Sequence, residues 1–165
     1  GILKLISVAL ISPMKNHLFV LQSLQGCNEM IEYNIYGAIK DMEYWKACLK
    51  QIELLPTNIS VKYNGDIVPT EVENVLSQSH VFILPSKSEN FGHAFYEALS
   101  AGKPVITSNN TPWKNLKGLN AGINIPLENK NELVDAIKYF AAMNQEEFDT
   151  WSLSANDYAT KAINT

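Results

Sequence analysis

The 165-residue sequence contains no arginine: all 13 of its basic residues are lysines, set against 17 acidic residues for a formal net charge of -4 at pH 7. Any anion that the chain binds through a cation is therefore bound by a compact ammonium group and never by a bidentate guanidinium. An acidic balance without a basic block also argues against a nucleic-acid partner and against a protein held on a membrane by charge.

Cysteine, clustered glycine and long apolar runs are equally scarce. Cys27 and Cys48 lack CxxC spacing, so we expect buried thiols and neither a disulfide nor a zinc site. The eight glycines are too dispersed for the GxGxxG turn of dehydrogenases or the phosphate loop of ATPases. No segment approaches the roughly 20 apolar residues of a membrane-spanning helix, and residues 1–11 lack the features of a signal peptide. The histidines lack metal-ligand spacing, so no metal is expected.

What the sequence does contain is a regular alternation of short apolar runs with amphipathic runs. The apolar runs predict strands and the amphipathic runs predict helices with one buried face. The predicted strands cover residues 3–11, 31–36, 59–63, 80–84, 105–107 and 123–125. This order predicts an α/β fold, a doubly wound parallel sheet of Rossmann type with about six strands. No linker divides the chain, so residues 1–165 are expected to form a single domain with a helical tail over 143–165.

Helix boundaries follow from capping residues. The first helix is predicted to start at Ser12 and Pro13 and to stop at a left-handed Gly26, and the second to be capped by Asp41. The fourth is predicted over about 90–101, with Gly102 as its stop. Capping boxes are predicted at Thr70 with Glu73 and at Asn144 with Glu147. The tail helix is expected to bury its apolar positions, which are Phe148, Trp151, Ala155, Tyr158 and Ala162.

A sheet of this type binds ligands beyond the carboxyl ends of its strands, which selects the loops 12–16, 64–69, 85–91 and 108–116. In the third loop and the helix after it, Glu89 and Glu97 stand eight positions apart. A helical rise of about 1.5 Å per residue separates their backbones by roughly 12 Å, too far for a glycosidase-type acid and base pair. They can instead hold two ends of one elongated ligand. The alternative is that Glu89 only complements the helix dipole and Glu97 is solvated.

The start of the helix that follows loop 85–91, and the start of the first helix, are both suited to bind an anion. The unpaired amides of Asn90, Phe91, Gly92 and His93 are expected to face the end of the preceding strand. Lys15 is predicted in the first turn of the first helix, where the dipole disfavours a cation unless an anion such as phosphate is present. On this interpretation, removal of Lys15 leaves the unliganded fold as stable or slightly more stable. The alternative is a surface lysine turned into water.

Residues 88–92, continuing to Glu97-Ala98-Leu99, resemble the E-x7-E signature of retaining glycosyltransferases of the GT-B fold, the glycosyl transferases group 1. Residues 12–16 resemble the lysine-asparagine turn that opens the C-terminal domain of that family, residues 64–67 its glycine turn, and Ala121-Gly122 a later loop. The resemblance extends over nearly the whole chain. It implies one half of a two-domain fold, with the acceptor-binding N-terminal domain outside this chain.

The resemblance also implies a function and a role for each matching residue. The substrate would be a nucleoside-diphosphate sugar, with no cofactor, in a cytoplasmic or peripherally membrane-bound protein of polysaccharide biosynthesis. Glu97 would hold the ribose hydroxyls, Glu89 the hydroxyls of the transferred sugar, and Lys15 the diphosphate. The other implied donor contacts are Ser86, Asn90, Phe91, Gly92, His93, Gly65, Asp66, Ile67, Asn110 and Thr111, with Trp113 beside them.

One departure from the family keeps other functions open. The family's usual glycine-arginine pair before the lysine is replaced here by Ala9 and Leu10, so the cationic clamp lacks its second member, unless Lys87 or Lys103 takes that role. This favours the second hypothesis, a noncatalytic nucleotide-binding module. A sugar-nucleotide epimerase of similar architecture is the third.

Five aromatic side chains have structural interpretations beside any functional one. Trp45 and Trp151 are expected in the core, and His17 and His80 in packing or surface positions. Trp113 follows Pro112 in a loop and is either a lid or a core plug.

Overall fold

The computed structural model describes residues 1–163, in which six strands form one sheet with the order β3-β2-β1-β4-β5-β6. Every neighbouring pair is parallel. The elements are β1 Leu3–Val8, α1 His17–Leu24, β2 Ile31–Tyr36, α2 Met42–Glu53, β3 Ile59–Tyr63, α3 Val72–Ser77, β4 Val81–Leu84, α4 His93–Ser100, β5 Val105–Ser108, β6 Gly122–Ile125, α5 Lys130–Ala141 and α6 Gln145–Ile163. The predicted doubly wound parallel sheet is confirmed.

The strand order reverses between β1 and β4, which lie side by side in the sheet although they are far apart in sequence. Leu5 pairs with Val81 and Ile6 with Phe82 across this junction. In open α/β sheets the crevice for a ligand lies at such a switch point, outside the carboxyl ends of the strands. A ligand site is therefore expected at the loops that follow β1 and β4.

Two apolar layers cover the faces of the sheet. Leu5, Ile35 and Ile83 point towards the layer of α1, α2 and α5, and Ile6 and Phe82 towards that of α4 and α6. All four residues of β4 are buried, as expected for a central parallel strand. Trp45 and Trp151 lie in the first layer, as predicted. Within residues 1–163, no helix has both the length and the apolar character needed to cross a bilayer.

The cysteine thiols are free and buried, as the sequence indicates. Burial raises the pKa of both Cys27 and Cys48 to about 11. Neither thiol is therefore ionised near neutral pH.

Three of the predicted helix boundaries are confirmed. Asp41 accepts a hydrogen bond from the amide of Tyr44 at 3.0 Å, which caps α2. Asn144 and Glu147 exchange hydrogen bonds of 2.8 and 3.1 Å in a reciprocal capping box before α6. Gly102 has φ 76° after α4 and supplies the left-handed stop.

Other boundary predictions are wrong for local reasons. Ser12 does not cap α1, which begins at His17, and Gly26 lies outside the left-handed region. Thr70 forms no capping box with Glu73, because a 3-10 turn over Pro69–Glu71 leads into α3 without a side-chain cap. In α6, Ala159 is buried and Ala162 is exposed.

Strand β1 ends at Val8 and not at residue 11. Ile11 keeps only an isolated bridge to Ile39. At this point Gly37, with φ 138°, passes so close to Ala9 that an added Cβ would lie 1.8 Å from the carbonyl oxygen of Ala9. The segment after β1 therefore leaves the sheet early and becomes part of the switch-point loop.

His17, the first residue of α1, is fully buried, and neither ring nitrogen has a hydrogen-bond partner among the described residues. Burial, and secondarily the charge of Lys15, lowers its pKa from 6.5 to about 4. A histidine that is neutral when folded and protonated when unfolded makes stability fall as the pH falls between those two values. Above pH 6.5 it is neutral in both states and contributes no pH dependence.

We therefore expect His17→Phe to flatten the acid side of the stability profile. One pKa unit corresponds to about 1.4 kcal/mol, so between pH 6.5 and pH 5 the unmodified chain should lose up to about 2 kcal/mol more than the variant. Urea unfolding of both proteins at pH 7.5, 6.5 and 5.0 measures the difference. Parallel losses in the two proteins would show that His17 does not stay neutral in the fold.

Candidate functional site

The turn after β1 and the loop after β4 are joined directly at the switch point. The side-chain amide of Asn16 donates to the carbonyl of Pro85 at 3.0 Å, and the amide of Lys87 donates to the carbonyl of Met14 at 2.9 Å. Asn16 is 9% exposed, so its bond is shielded from water. These two contacts hold segments 12–16 and 85–92 at a fixed separation.

An ion pair spans the same two segments. Lys15 Nζ lies 2.7 Å from Glu89 Oε2, with the Glu89 side chain 7% exposed and the Lys15 side chain 26% exposed. Ser86, which is fully buried, donates its hydroxyl to the same Glu89 oxygen at 2.8 Å. Glu89 is therefore a largely buried carboxylate whose charge is met by one ammonium and one hydroxyl. This anion lies where the sequence led us to expect a phosphate.

Both helices at the site begin later than predicted. Asn16, at φ 69°, precedes α1, and Gly92, at φ 78°, precedes α4. A residue in the left-handed region cannot continue a right-handed helix, so the helix begins at the next residue. Lys15 consequently lies in the turn before α1 and not in its first turn, and Asn90 and Phe91 belong to the loop before α4. Of the four amides assigned to the helix start, those of Gly92 and His93 keep that place.

Ser86 is held from the neighbouring strand. The hydroxyl of Ser108, at the end of β5, donates to the carbonyl of Ser86 at 2.5 Å. The amide of Asn110 in turn donates to the Ser108 hydroxyl at 3.1 Å. This chain of contacts fixes the residue that supports Glu89. The structure places Ser86 against Glu89, whereas the resemblance assigns it to the border of the base.

Glu97, the glutamate eight positions after Glu89, lies in a separate groove. Glu97, Asp66 and Ile67 line it together, so the structure brings together three of the predicted donor contacts. The groove encloses about 240 Å³ and also includes Ala9 and Leu10, the two positions at which the resemblance implies a glycine-arginine pair. Gly65, at φ 83°, accepts a bond from the amide of Gly37 at 2.9 Å beside it. The groove is thus lined without a basic side chain.

Trp113 is a core plug and not a lid. It is 4% exposed, and its indole nitrogen donates to the carbonyl of Phe91 at 2.7 Å. The ring of Phe91 packs against Trp113 with centroids 5.3 Å apart and against His93 at 4.9 Å. Because the Phe91 carbonyl is held on one side, the planar peptide directs the amide of Gly92 to the opposite side. Trp113 therefore fixes the orientation of one of the predicted donor amides.

The remaining predicted contacts differ in exposure. Asn90, His93 and Asn110 are exposed, whereas Thr111 is 2% exposed and its hydroxyl accepts a bond from the amide of Trp113 at 3.4 Å. His80 is half-buried, and its Nδ1 accepts from the amide of Lys4 at 2.9 Å. Thr111 and His80 therefore hold backbone amides of the fold, whereas the exposed His93 is accessible to a ligand.

The supporting roles of Ser108 and Asn124 were not predicted from the sequence, although Ser108 lies in one of the selected loops. Asn124 lies within β6, and its side chain binds the carbonyls of Ser108 at 3.2 Å and Trp113 at 2.8 Å and the amide of Leu116 at 3.2 Å. It thereby holds the loop between β5 and β6. An amide in the middle of a short apolar strand is the sequence signal that marks such a residue.

No group of three or more histidine, cysteine, aspartate or glutamate side chains is arranged to hold a metal ion in the described part of the chain. The side chains at the switch point and in the groove beside it include instead the ammonium of Lys15, the hydroxyl of Ser86 and three carboxylates, those of Glu89, Glu97 and Asp66. Such a set suits a ligand with negative charge in one part and hydroxyl groups in others.

The fold and the site define a Rossmann-like domain of the GT-B glycosyltransferase class. Residues 3–153 match the family Glycosyl transferases group 1, and the chain belongs to that family. The resemblance inferred from residues 88–97 is therefore confirmed at the level of the family.

Individual relatives agree with this assignment. The O-antigen biosynthesis glycosyltransferase WclY of Escherichia coli is 38% identical over 69 residues, which cover 42% of this chain and 19% of that protein. HepE of Anabaena, solved with UDP-glucose, superposes with a TM-score of 0.83 at 20% identity over 96% of this chain and 44% of HepE. A glycosyltransferase of Rickettsia africae gives a TM-score of 0.86 at 17% identity over 98% and 43% of the two chains. The chain thus spans less than half the length of each of these three relatives.

A comparison of Gly92 with Gly65 shows how tightly the loop before α4 is packed. Gly92 and Gly65 have similar φ angles, 78° and 83°, so alanine is strained by the same backbone conformation at either position. An added Cβ at Gly92 would lie 2.5 Å from the Phe95 ring, whereas nothing lies within 4 Å of one at Gly65.

We expect Gly65→Ala to lower the unfolding free energy by about 1 kcal/mol and Gly92→Ala to lower it by at least about 2 kcal/mol, because only Gly92→Ala adds overpacking to the backbone strain. Chemical denaturation of the two variants measures the comparison, with Gly65→Ala as the control for backbone strain. Equal losses would mean that the Phe95 ring yields freely and that the loop before α4 is not tightly packed.

Proposed function

We propose that this chain is the donor-binding domain of a retaining glycosyltransferase, which transfers a sugar from a nucleoside-diphosphate sugar to an acceptor. The Lys15–Glu89 pair carries the proposal, since it places a cation and a buried carboxylate together at the switch point of the sheet. Family membership and the similarity to HepE, which was solved with UDP-glucose, support the class of donor.

Each part of the donor has a complementary part of the site. The groove of Glu97, Asp66 and Ile67 suits a nucleoside, with the carboxylate of Glu97 accepting bonds from ribose hydroxyls. Lys15 suits the diphosphate, and Glu89 suits the hydroxyls of the sugar. The glutamates are eight residues apart, which matches the extent of a donor whose two ends are both rich in hydroxyl groups.

The chemistry proposed for the site is stabilisation of a leaving group. Departure of a nucleoside diphosphate from the anomeric carbon places negative charge on the phosphate oxygens, and preorganised cations and dipoles lower that barrier. Lys15 supplies the cation, and the amides that begin α4 supply the dipole. We propose that the acceptor is bound by a second domain outside this chain, opposite the switch-point loops.

A specific observation favours a second candidate, a noncatalytic module that binds nucleotides. Ala9 and Leu10 line the groove at the two positions where the resemblance implies a glycine-arginine pair, so the arginine that would assist Lys15 is absent. A module of this kind gains nothing from the sugar and binds a nucleoside diphosphate as tightly as its sugar conjugate. A donor-binding domain gains affinity from the sugar.

Lys15→Ala should weaken the binding of ADP, GDP, UDP or CDP, whichever the chain accepts, by roughly tenfold to a hundredfold. The loss of one charge-assisted contact typically corresponds to about 1.5 to 3 kcal/mol. The same change should lower the melting temperature, because Glu89 loses its cation. This reverses the expectation from the helix dipole alone. Calorimetric titration and thermal melts test both effects, with the exposed Lys46→Ala as control. Unchanged diphosphate affinity would place the clamp elsewhere.

Glu97→Ala should act on a different part of the ligand. We expect it to weaken the corresponding nucleoside and nucleoside diphosphate equally, by about tenfold, because it removes contacts to the ribose only. Lys15→Ala should leave the nucleoside unaffected. Titration of the nucleoside against both variants separates the two roles, and Glu128→Ala, also exposed, is the matched control. A Glu97→Ala effect restricted to the diphosphate would contradict the assignment of the groove to the nucleoside.

A further inference from the structure

We propose that Glu89 is a specificity-determining residue that makes the site prefer a nucleotide sugar over the bare nucleoside diphosphate, by competing with the diphosphate for Lys15. This inference rests on the proposed function and extends it. It assigns to Glu89 two opposite effects on affinity: the carboxylate favours the nucleotide sugar and disfavours the bare nucleoside diphosphate. The observation behind it is that the cation expected to meet the diphosphate is already paired in the unliganded protein.

The pair is strong enough to compete. Its 2.7 Å separation is that of a charge-assisted hydrogen bond, and the Glu89 side chain is 7% exposed. Pairs between exposed side chains contribute little because water and salt screen them, but a pair with one largely buried member is screened much less. A diphosphate that approaches Lys15 must therefore displace a carboxylate that is already well placed.

Displacement leaves Glu89 with an uncompensated charge. Among residues 1–163, the hydrogen bond that then remains to the Glu89 carboxylate comes from the hydroxyl of Ser86 at 2.8 Å, and Ser86 is itself held by Ser108. A largely buried carboxylate that loses its cation is destabilised unless new donors arrive. A bare nucleoside diphosphate brings only acceptor oxygens to this end of the site, so it cannot supply them.

A nucleotide sugar does supply new hydrogen-bond donors to Glu89. The hydroxyl groups of the sugar donate hydrogen bonds to a carboxylate, so Lys15 can move to the diphosphate while Glu89 keeps a full set of partners. The carboxylate thus opposes the product of the transfer reaction and favours its substrate. For an enzyme, this arrangement assists release of the nucleoside diphosphate after the sugar has left.

A double-mutant cycle of Glu89→Gln and Lys15→Ala tests the proposal, with affinities for UDP, ADP, GDP and CDP and for their glucose conjugates measured by calorimetry. Glutamine keeps the shape of the side chain and its bond from Ser86 while removing the charge. We expect Glu89→Gln to bind the accepted nucleoside diphosphate about five- to thirtyfold more tightly and its glucose conjugate no more tightly than the unmodified chain. Glu43→Gln, which breaks an exposed glutamate–lysine pair, is the matched control.

The cycle also identifies the route of the effect. In the Lys15→Ala background the tightening by Glu89→Gln should fall below about threefold, because only direct repulsion between carboxylate and diphosphate remains. Equal tightening in both backgrounds, an unchanged or weaker affinity of Glu89→Gln for the diphosphate, or equal tightening of the glucose conjugate would each overturn the proposal. If the unmodified chain binds none of the eight ligands, the proposed function fails and this inference fails with it. If it binds them and only the Glu89→Gln results disagree, the proposed function stands.

Discussion

A carboxylate that is almost removed from water needs a cation, and in this protein that requirement connects the two loops of the switch point. Glu89 follows β4 and Lys15 follows β1, so their ion pair joins segments that are 74 residues apart in the sequence. The bonds from Asn16 to Pro85 and from Lys87 to Met14 run alongside it. Together these contacts fix where the amides before α4, the supporting serines and the groove of Glu97 lie relative to one another.

Because the chain contains no arginine, the cation of the Lys15–Glu89 pair is an ammonium group. A guanidinium can bind a carboxylate and a phosphate at the same time through separate N–H groups, whereas the compact ammonium of Lys15 is the weaker bridge between them. With Ala9 and Leu10 in the neighbouring groove, the proposed function assigns the diphosphate to Lys15 without an arginine beside it. The proposed competition between Glu89 and a diphosphate for Lys15 follows from that composition.

Much of the fold was predictable because its signals are local. The continuous apolar run that became β4 and the capping residues Asp41 and Asn144 act through near neighbours in the sequence, and the structure confirms them. The starts of α1 and α4 were not predictable, because the left-handed conformations of Asn16 and Gly92 arise in loops that are fixed by tertiary contacts. Thr70 failed as a cap for a local reason, since Pro69 begins a 3-10 turn there.

The candidate site divides in the same way. The spacing of Glu89 and Glu97 selected a loop and helix that the structure places at the switch point. The partner of Lys15 could not be predicted from spacing, because the ion pair joins loops that are distant in sequence. The same holds for Ser108 and Asn124, whose roles depend on contacts between β5, β6 and the loop that joins them. The helix dipole alone predicts that the fold does not lose stability when Lys15 is removed, whereas the ion pair with Glu89 predicts a loss, because the anion beside Lys15 is a side chain of the protein.

The most direct test of this account is a crystal structure of the chain with a bound nucleoside-diphosphate sugar, in which the distances from Lys15 Nζ to the phosphate oxygens and to Glu89 are measured. The account predicts that Lys15 has moved from its 2.7 Å contact with Glu89 to a phosphate oxygen, and that sugar hydroxyls donate to Glu89 in its place. A donor bound with the Lys15–Glu89 pair intact and the diphosphate held by other groups would contradict it.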